Sequence, residues 1–170
     1  MTDIPKTKYG VAIALFREDN VFLSQRLLNQ LRYASAWQIV YGFTGGNYER
    51  YADAAVRIVK EETGIVLTAD RLCYIKSMLV GNEFYYTYFV HLKDNEMPAD
   101  PDDEQSRIRS CFISFPLERA VNMNLVPCLE KLLRNAFKAL GKSRAEKCSS
   151  QSLVERANEQ TSWSCMCDYD

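Results

Sequence analysis

Glu61 and Glu62 are adjacent carboxylates at the end of an amphipathic stretch, Ala52–Thr63, that Gly64 closes. Helical positions three and four apart share a face, so the doublet groups with Ile58, and Glu61 stands one turn beyond Arg57. Ala52, Ala55, Val56 and Val59 form an apolar face that is expected to pack on a sheet. The carboxylates are then aimed away from the core, toward the loop that precedes the helix. Two adjacent hard-oxygen donors beside a glycine-bearing loop suit Mg²⁺ or Mn²⁺ sharing its shell with a substrate phosphate. The loop amides suit a pyrophosphate. A glutamate doublet also serves simply as a solvated helix end, and the pair alone does not separate the two.

The elements that must hold these residues are legible from periodicity. Tyr9–Phe16 is a compact apolar run and Val21–Leu27 alternates, with "REDN" between them, which predicts a hairpin. "AWQIV" predicts a third strand, and a glycine-bearing loop from Tyr41 to Tyr51 leads into the helix, with Gly64 at its C-cap. "RLCYIKSML", "VGNE" and "FYYTYFVHL" predict a second hairpin. After the acidic loop "DNEMPADPDDEQS", "RIRSCFIS" predicts a strand, and helices are expected near Leu117–Asn122 and Pro127–Leu140. Hairpins around one central helix, with further helices at the end, predict an α+β chain: an α/β/α sandwich with a mixed sheet. The sequence turns serine-rich and charged at Gly141, so the expected organisation is a domain over 1–140 and a flexible Ser/Cys-bearing tail over 141–170.

Composition narrows the function classes. The 170 residues are 47% apolar, enough for one core. With 21 basic and 22 acidic residues well mixed, no basic stripe marks duplex nucleic acid as a partner. No run approaches membrane-spanning length and the N-terminal residues lack a signal-like apolar segment, so a cytoplasmic location is expected. Cys73, Cys111, Cys128, Cys148, Cys165 and Cys167 are scattered rather than framed, which predicts reduced thiols.

Glu49, Arg57, Glu61, Glu62 and Gly64 stand at fixed offsets, with "AAVR", "EETG" and the apolar Ile65 in register. This pattern resembles the signature of the Nudix hydrolase family. "VFLSQR" ending in Arg26, Trp37 before the loop, and "DDEQSRIRSCFISFPLERA" extend the resemblance to roughly residues 8–140. The resemblance implies that Glu61 and Glu62 bind Mg²⁺ or Mn²⁺ on a pyrophosphate and that Arg57 pairs with Glu49 to fix the loop on the helix. It implies that Glu104, with Asp103 next in line, completes the metal shell or acts as base, and that Arg26 contacts a substrate phosphate. The implied reaction is attack by metal-activated water on a nucleoside diphosphate-linked nucleotide or nucleotide sugar. The expected partners are that small molecule and a second copy of the chain, with neither duplex nucleic acid nor membrane.

Two positions depart from the signature. Ile58 replaces a glutamate that would supply a further carboxylate, an apolar substitution also found in proteins resembling GDP-mannose mannosyl hydrolases. Gly42-Phe43 stands in place of a glycine pair, and Tyr48 where a glycine is common: either Phe43 occupies a position that usually needs glycine, or the loop has been rebuilt, at a cost wherever φ is positive. The sole histidine, His91, is a candidate base, weighed against an ordinary half-buried or surface side chain near a strand end. Tyr33, Tyr41, Tyr85, Tyr86 and Tyr88 have faces that suit a nucleobase but are equally core packing, and no role is assigned to them. The favoured reading is a metal-dependent hydrolase. Its alternative is a catalytically impaired Nudix-fold module that binds a nucleotide or a protein.

Overall fold

A computed structural model of the chain describes residues 7–30, 32–46, 48–99 and 109–145. Asp103, Glu104 and the segment beyond Ala145 lie outside the described residues. The organising strand is β1 (Lys8–Arg17), whose residues from Val11 to Phe16 are all buried. An uninterrupted apolar run of this kind needs both faces covered. β1 pairs in parallel with β6 (Glu83–His91) along one side. On its other side it pairs antiparallel with β2 (Asn20–Gln25) and with β4 (Val40–Phe43). β3 (Trp37–Gln38) and β7 (Ile113–Pro116) extend the sheet from β2, and β5 (Cys73–Val80) forms a hairpin with β6. The main strand order is β3-β2-β1-β6-β5, a mixed sheet.

Side chains alternate across this sheet into two cores. Ala12, Ala14 and Phe16, with Met78, Tyr85 and Phe89, meet α2 (Leu117–Ala120) and α3 (Leu129–Ala145) through Leu117, Leu129, Leu132, Leu133 and Ala136. Val11, Ile13 and Leu15, with Tyr88 and Val90, meet α1 (Tyr51–Thr63). Helices therefore cover both faces, and the expected α/β/α sandwich with its mixed sheet is the fold found. α1 ends where Gly64 takes φ 73°, its N–H reaching the Lys60 carbonyl, a left-handed cap for which glycine carries no Cβ penalty.

Three local expectations are corrected. The run "AWQIV" is two strands, because Gln38 pairs with β2 whereas Val40 pairs with β1. β4 then continues through Gly42 and Phe43, so these are extended strand residues and not loop. The strand expected over "RIRSCFIS" begins only at Ile113, with Arg109 forming an isolated bridge to Arg26. The buried stripe of α1 is Ala54, Ala55, Ile58, Val59 and Thr63, while Ala52 and Val56 are half-buried flanks. Ile58 thus belongs to the core and not to a solvent-facing carboxylate face. Among the described cysteines, Cys73 and Cys111 carry thiols, whereas Cys128 is disulfide-bonded and departs from the expected reduced state. No helix of the described residues is long and apolar enough to cross a membrane.

Candidate functional site

The end of β4, the following loop and α1 are clasped by one arginine. Arg57 Nε donates to Glu49 Oε1 at 2.8 Å and Nη2 to Glu49 Oε2 at 2.9 Å, a bidentate fork. Nη2 also reaches the Phe43 carbonyl at 3.1 Å, and Nη1 the Glu61 carboxylate at 3.0 Å one turn along α1. Glu49 accepts a further bond from the Gly45 amide. The Arg57 hydrogen bonds, followed by that amide, lower the pKa of Glu49 to about 2, well below the ordinary carboxylate range. Glu49 in turn raises Arg57. The implied Glu49–Arg57 pair is therefore present, and it takes in Glu61.

The departures from the signature make local sense. A Cβ built on Gly42 would stand 2.8 Å from Ile58 Cδ1 and 3.2 Å from its Cγ1. Gly42 is small because Ile58 packs on its backbone. Phe43 is extended strand, and Tyr48 is fully exposed without a positive φ, so neither bears the cost expected of a lost glycine.

Glu62 sits four residues beyond Ile58 and seven beyond Ala55, in the same stripe as the buried positions. There it meets Arg109, only 2% exposed, whose Nε donates to Glu62 Oε2 at 2.8 Å and whose Nη2 donates to the Glu62 carbonyl. Nη1 reaches the Ser110 carbonyl at 3.1 Å, and the guanidinium lies 4.5 Å from the Phe112 ring centroid. Each carboxylate of the doublet therefore already holds an arginine, and the position one turn before them is apolar and buried. Among the described residues no three His, Cys, Asp or Glu side chains converge on a point where a metal could sit. With Asp103 and Glu104 outside the described residues, the donors described do not fit a divalent cation.

A second feature lies on the opposite face of the sheet. A cavity of about 600 Å³ is lined by residues that include Arg26, Arg32, Tyr33, Ile39, Tyr41, Phe43, Met78, Glu83 and Tyr85. That volume falls in the range of small-molecule sites. Arg26 is held by its Nη1 bonds to Gln38 Oε1 at 3.0 Å and Tyr41 Oη at 2.7 Å, and by its Nε bond to the Arg32 carbonyl. No carboxylate among the described residues pairs with it. Tyr85 stands tilted to Phe43 at 6.1 Å and edge-on to Tyr41 at 6.5 Å, its hydroxyl donating to Glu83. Burial, then Glu83, pushes the Tyr85 hydroxyl's pKa up, so it stays a neutral donor.

Sequence reasoning reached Arg26, Glu49, Arg57, Glu61 and Glu62, but it missed Arg109 and the grouping of Tyr41, Phe43 and Tyr85. Their alternation along β4 and β6 was a core signal as much as a site signal. Tyr86 and Tyr88 do not join the cavity. Tyr86 stacks on Tyr51 at 3.6 Å, and Tyr88 packs in the α1 core. His91 accepts the Glu18 amide through Nε2 at 3.1 Å in the β1–β2 turn, the bland role weighed for it.

The NUDIX domain family model matches residues 6–136. Similar solved structures include a mutT/nudix family protein from Listeria innocua, with TM-score 0.68, 17% identity, and coverage of 84% of this chain and 99% of that one. The E. coli ORF135 protein gives TM-score 0.60 and 24% identity over 83% of this chain and 95% of its own. The NUDIX domain of Shewanella oneidensis NrtR, solved with ADP ribose, gives TM-score 0.63 and 18% identity over 81% and 90%. No curated protein matches the sequence.

Proposed function

The chain belongs to the NUDIX family, and from that premise we propose that it binds a nucleoside diphosphate-linked small molecule in the cavity on the α3 face of the sheet. The observation that carries this reading is Arg26: a guanidinium anchored by neutral partners, lining a largely apolar cavity that also holds Tyr33, Tyr41, Phe43 and Tyr85. A diphosphate answers the cation, and a nucleobase suits the faces of Tyr41, Phe43 and Tyr85. The ADP ribose held by the Shewanella NUDIX domain is a ligand of this class. In this reading Glu61 and Glu62 are structural ion-pair partners, and no divalent metal is needed to hold the ligand. Calorimetry in metal-free buffer with ADP-ribose, ADP and nucleotide sugars tests it. Saturable binding weakened by Arg26→Ala supports the proposal, and heats that none of these compounds saturates would sink it.

A second reading, metal-dependent hydrolysis of the same class of compound, is favoured by the retained Glu49–Arg57–Glu61 clasp. It requires Glu62 to exchange Arg109 for Mg²⁺ or Mn²⁺, with Glu104 as the further carboxylate. Product analysis over a panel of nucleoside triphosphates, nucleotide sugars, dinucleoside polyphosphates and capped RNA decides it. Turnover above the level of a Glu61→Gln/Glu62→Gln variant is the result this second reading predicts.

A further inference from the structure

The family's usual divalent ion and this chain's own residues disagree at the end of α1, and the disagreement has a specific content. We infer that Arg109 is the resident cation of Glu62, taking the place a metal would have on that carboxylate and tying the 109–112 segment to α1. Every nitrogen of the guanidinium donates: Nε to the Glu62 carboxylate, Nη2 to the Glu62 main-chain carbonyl, Nη1 to the Ser110 carbonyl. The carbonyl it takes is one of the last of α1, where the helix presents its partial negative charge. Phe112 covers the guanidinium plane.

Charge accounting among the described residues sets the two cations in competition for Glu62. Arginine stays protonated at every accessible pH, so a guanidinium that is 2% exposed needs a counter-charge in contact with it. Among the described residues, Glu62 is the carboxylate seen in contact with it. A divalent ion on Glu62 would either expel that guanidinium or set a double positive charge against it. Ile58, one turn back in the same stripe, brings no carboxylate to offset the excess and is itself 3% exposed.

The pair also reaches the cavity through the backbone. Arg109 bridges Arg26, the Ser110 amide donates to the Gln25 carbonyl at 2.8 Å, and the Gln25 amide donates to Ser110 Oγ at 2.8 Å. Glu62 is thereby linked, through Arg109, to Arg26, the residue that follows β2. The carboxylate that the family resemblance assigns to a metal holds, in this chain, a covalently supplied cation that braces the segment around Arg26.

Two measurements on the full chain, both without nucleotide, test this independently of what the cavity binds. In metal-free buffer, Glu62→Gln is expected to lower Tm by of the order of 5 °C, because it leaves Arg109 buried beside a neutral amide. A carboxylate merely waiting for a metal gives the opposite sign, since its removal relieves repulsion. Mn²⁺ titrated into the wild-type chain, with the free ion followed by its electron paramagnetic resonance signal, is expected to show no saturable site that depends on Glu62. Mn²⁺ binding that Glu62→Gln abolishes, or a metal-free Tm that the substitution leaves unchanged or raises, overturns the inference.

Discussion

Ile58 lies directly over Gly42: the nearest atom of its side chain is 2.8 Å from where a Cβ on that glycine would stand. The two residues form one packing unit across α1 and β4. Gly42→Ala is expected to destabilise the protein by about 2 kcal/mol, an overpacking cost in a region where both elements are anchored. Gly42→Ala/Ile58→Val should recover part of that loss. Urea unfolding of the two variants beside wild type checks the pair, and additive effects would mean that the residues do not share space.

Acid stability should depend on two clasps. Glu49 and Glu96 are each held at about 2 rather than the ordinary 4.5, chiefly by hydrogen bonds from Arg57 and Arg71 respectively. A carboxylate depressed in the folded state adds stability above its unfolded pKa and loses it as pH falls through the folded value. The contribution is therefore complete above roughly pH 5.5 and disappears between about 4.5 and 2. After solvent screening it is about 1 kcal/mol for each clasp. Comparing wild type with Glu49→Gln and Glu96→Gln by denaturant unfolding from pH 7 to 3 should show the differences shrinking with acid. Differences independent of pH would place the effect in packing.

Ligand affinity should fall with Arg26. Losing charge-assisted hydrogen bonds to a diphosphate costs about 1.5–3 kcal/mol, so Arg26→Ala is expected to weaken binding of ADP-ribose by roughly ten- to a hundredfold. Tyr85→Ala should weaken nucleotides but leave inorganic pyrophosphate unaffected, because only the base meets the ring. Calorimetry on the two variants reads both effects, and equal losses for the two ligand types would remove the base from the cavity.

The 141–170 boundary expected from composition falls inside α3, which runs to Ala145, and the segment from 146 onward is proposed to stand apart from the folded unit. Its composition carries no regular apolar period, and the family match ends at residue 136. A chain ending after Ala145 is therefore expected to unfold, in reducing buffer, within about 2 °C of the full chain. A larger fall would give the tail a packing role.

Local regularity made much of this protein legible in the residues themselves. The apolar run Val11–Phe16, the hairpins and the amphipathic stretch closed by Gly64 follow from short-range periods and caps, and the structure carries them as β1, β5–β6 and α1. The Glu49–Arg57 pair came from the family resemblance alone, and the structure forms it because both residues belong to one loop–helix unit. What spacing could not decide was the azimuth of α1. Which stripe is buried depends on the sheet beneath it. Gly42 left room for Ile58, and this placed the residue in the core when its neighbours in sequence suggested the carboxylate face. Arg109 lies 47 residues from Glu62, and no local period links them. Only the folding of the 109–112 segment against the ends of β2 and α1 turned a glutamate that looked ready for a metal into the partner of a buried arginine.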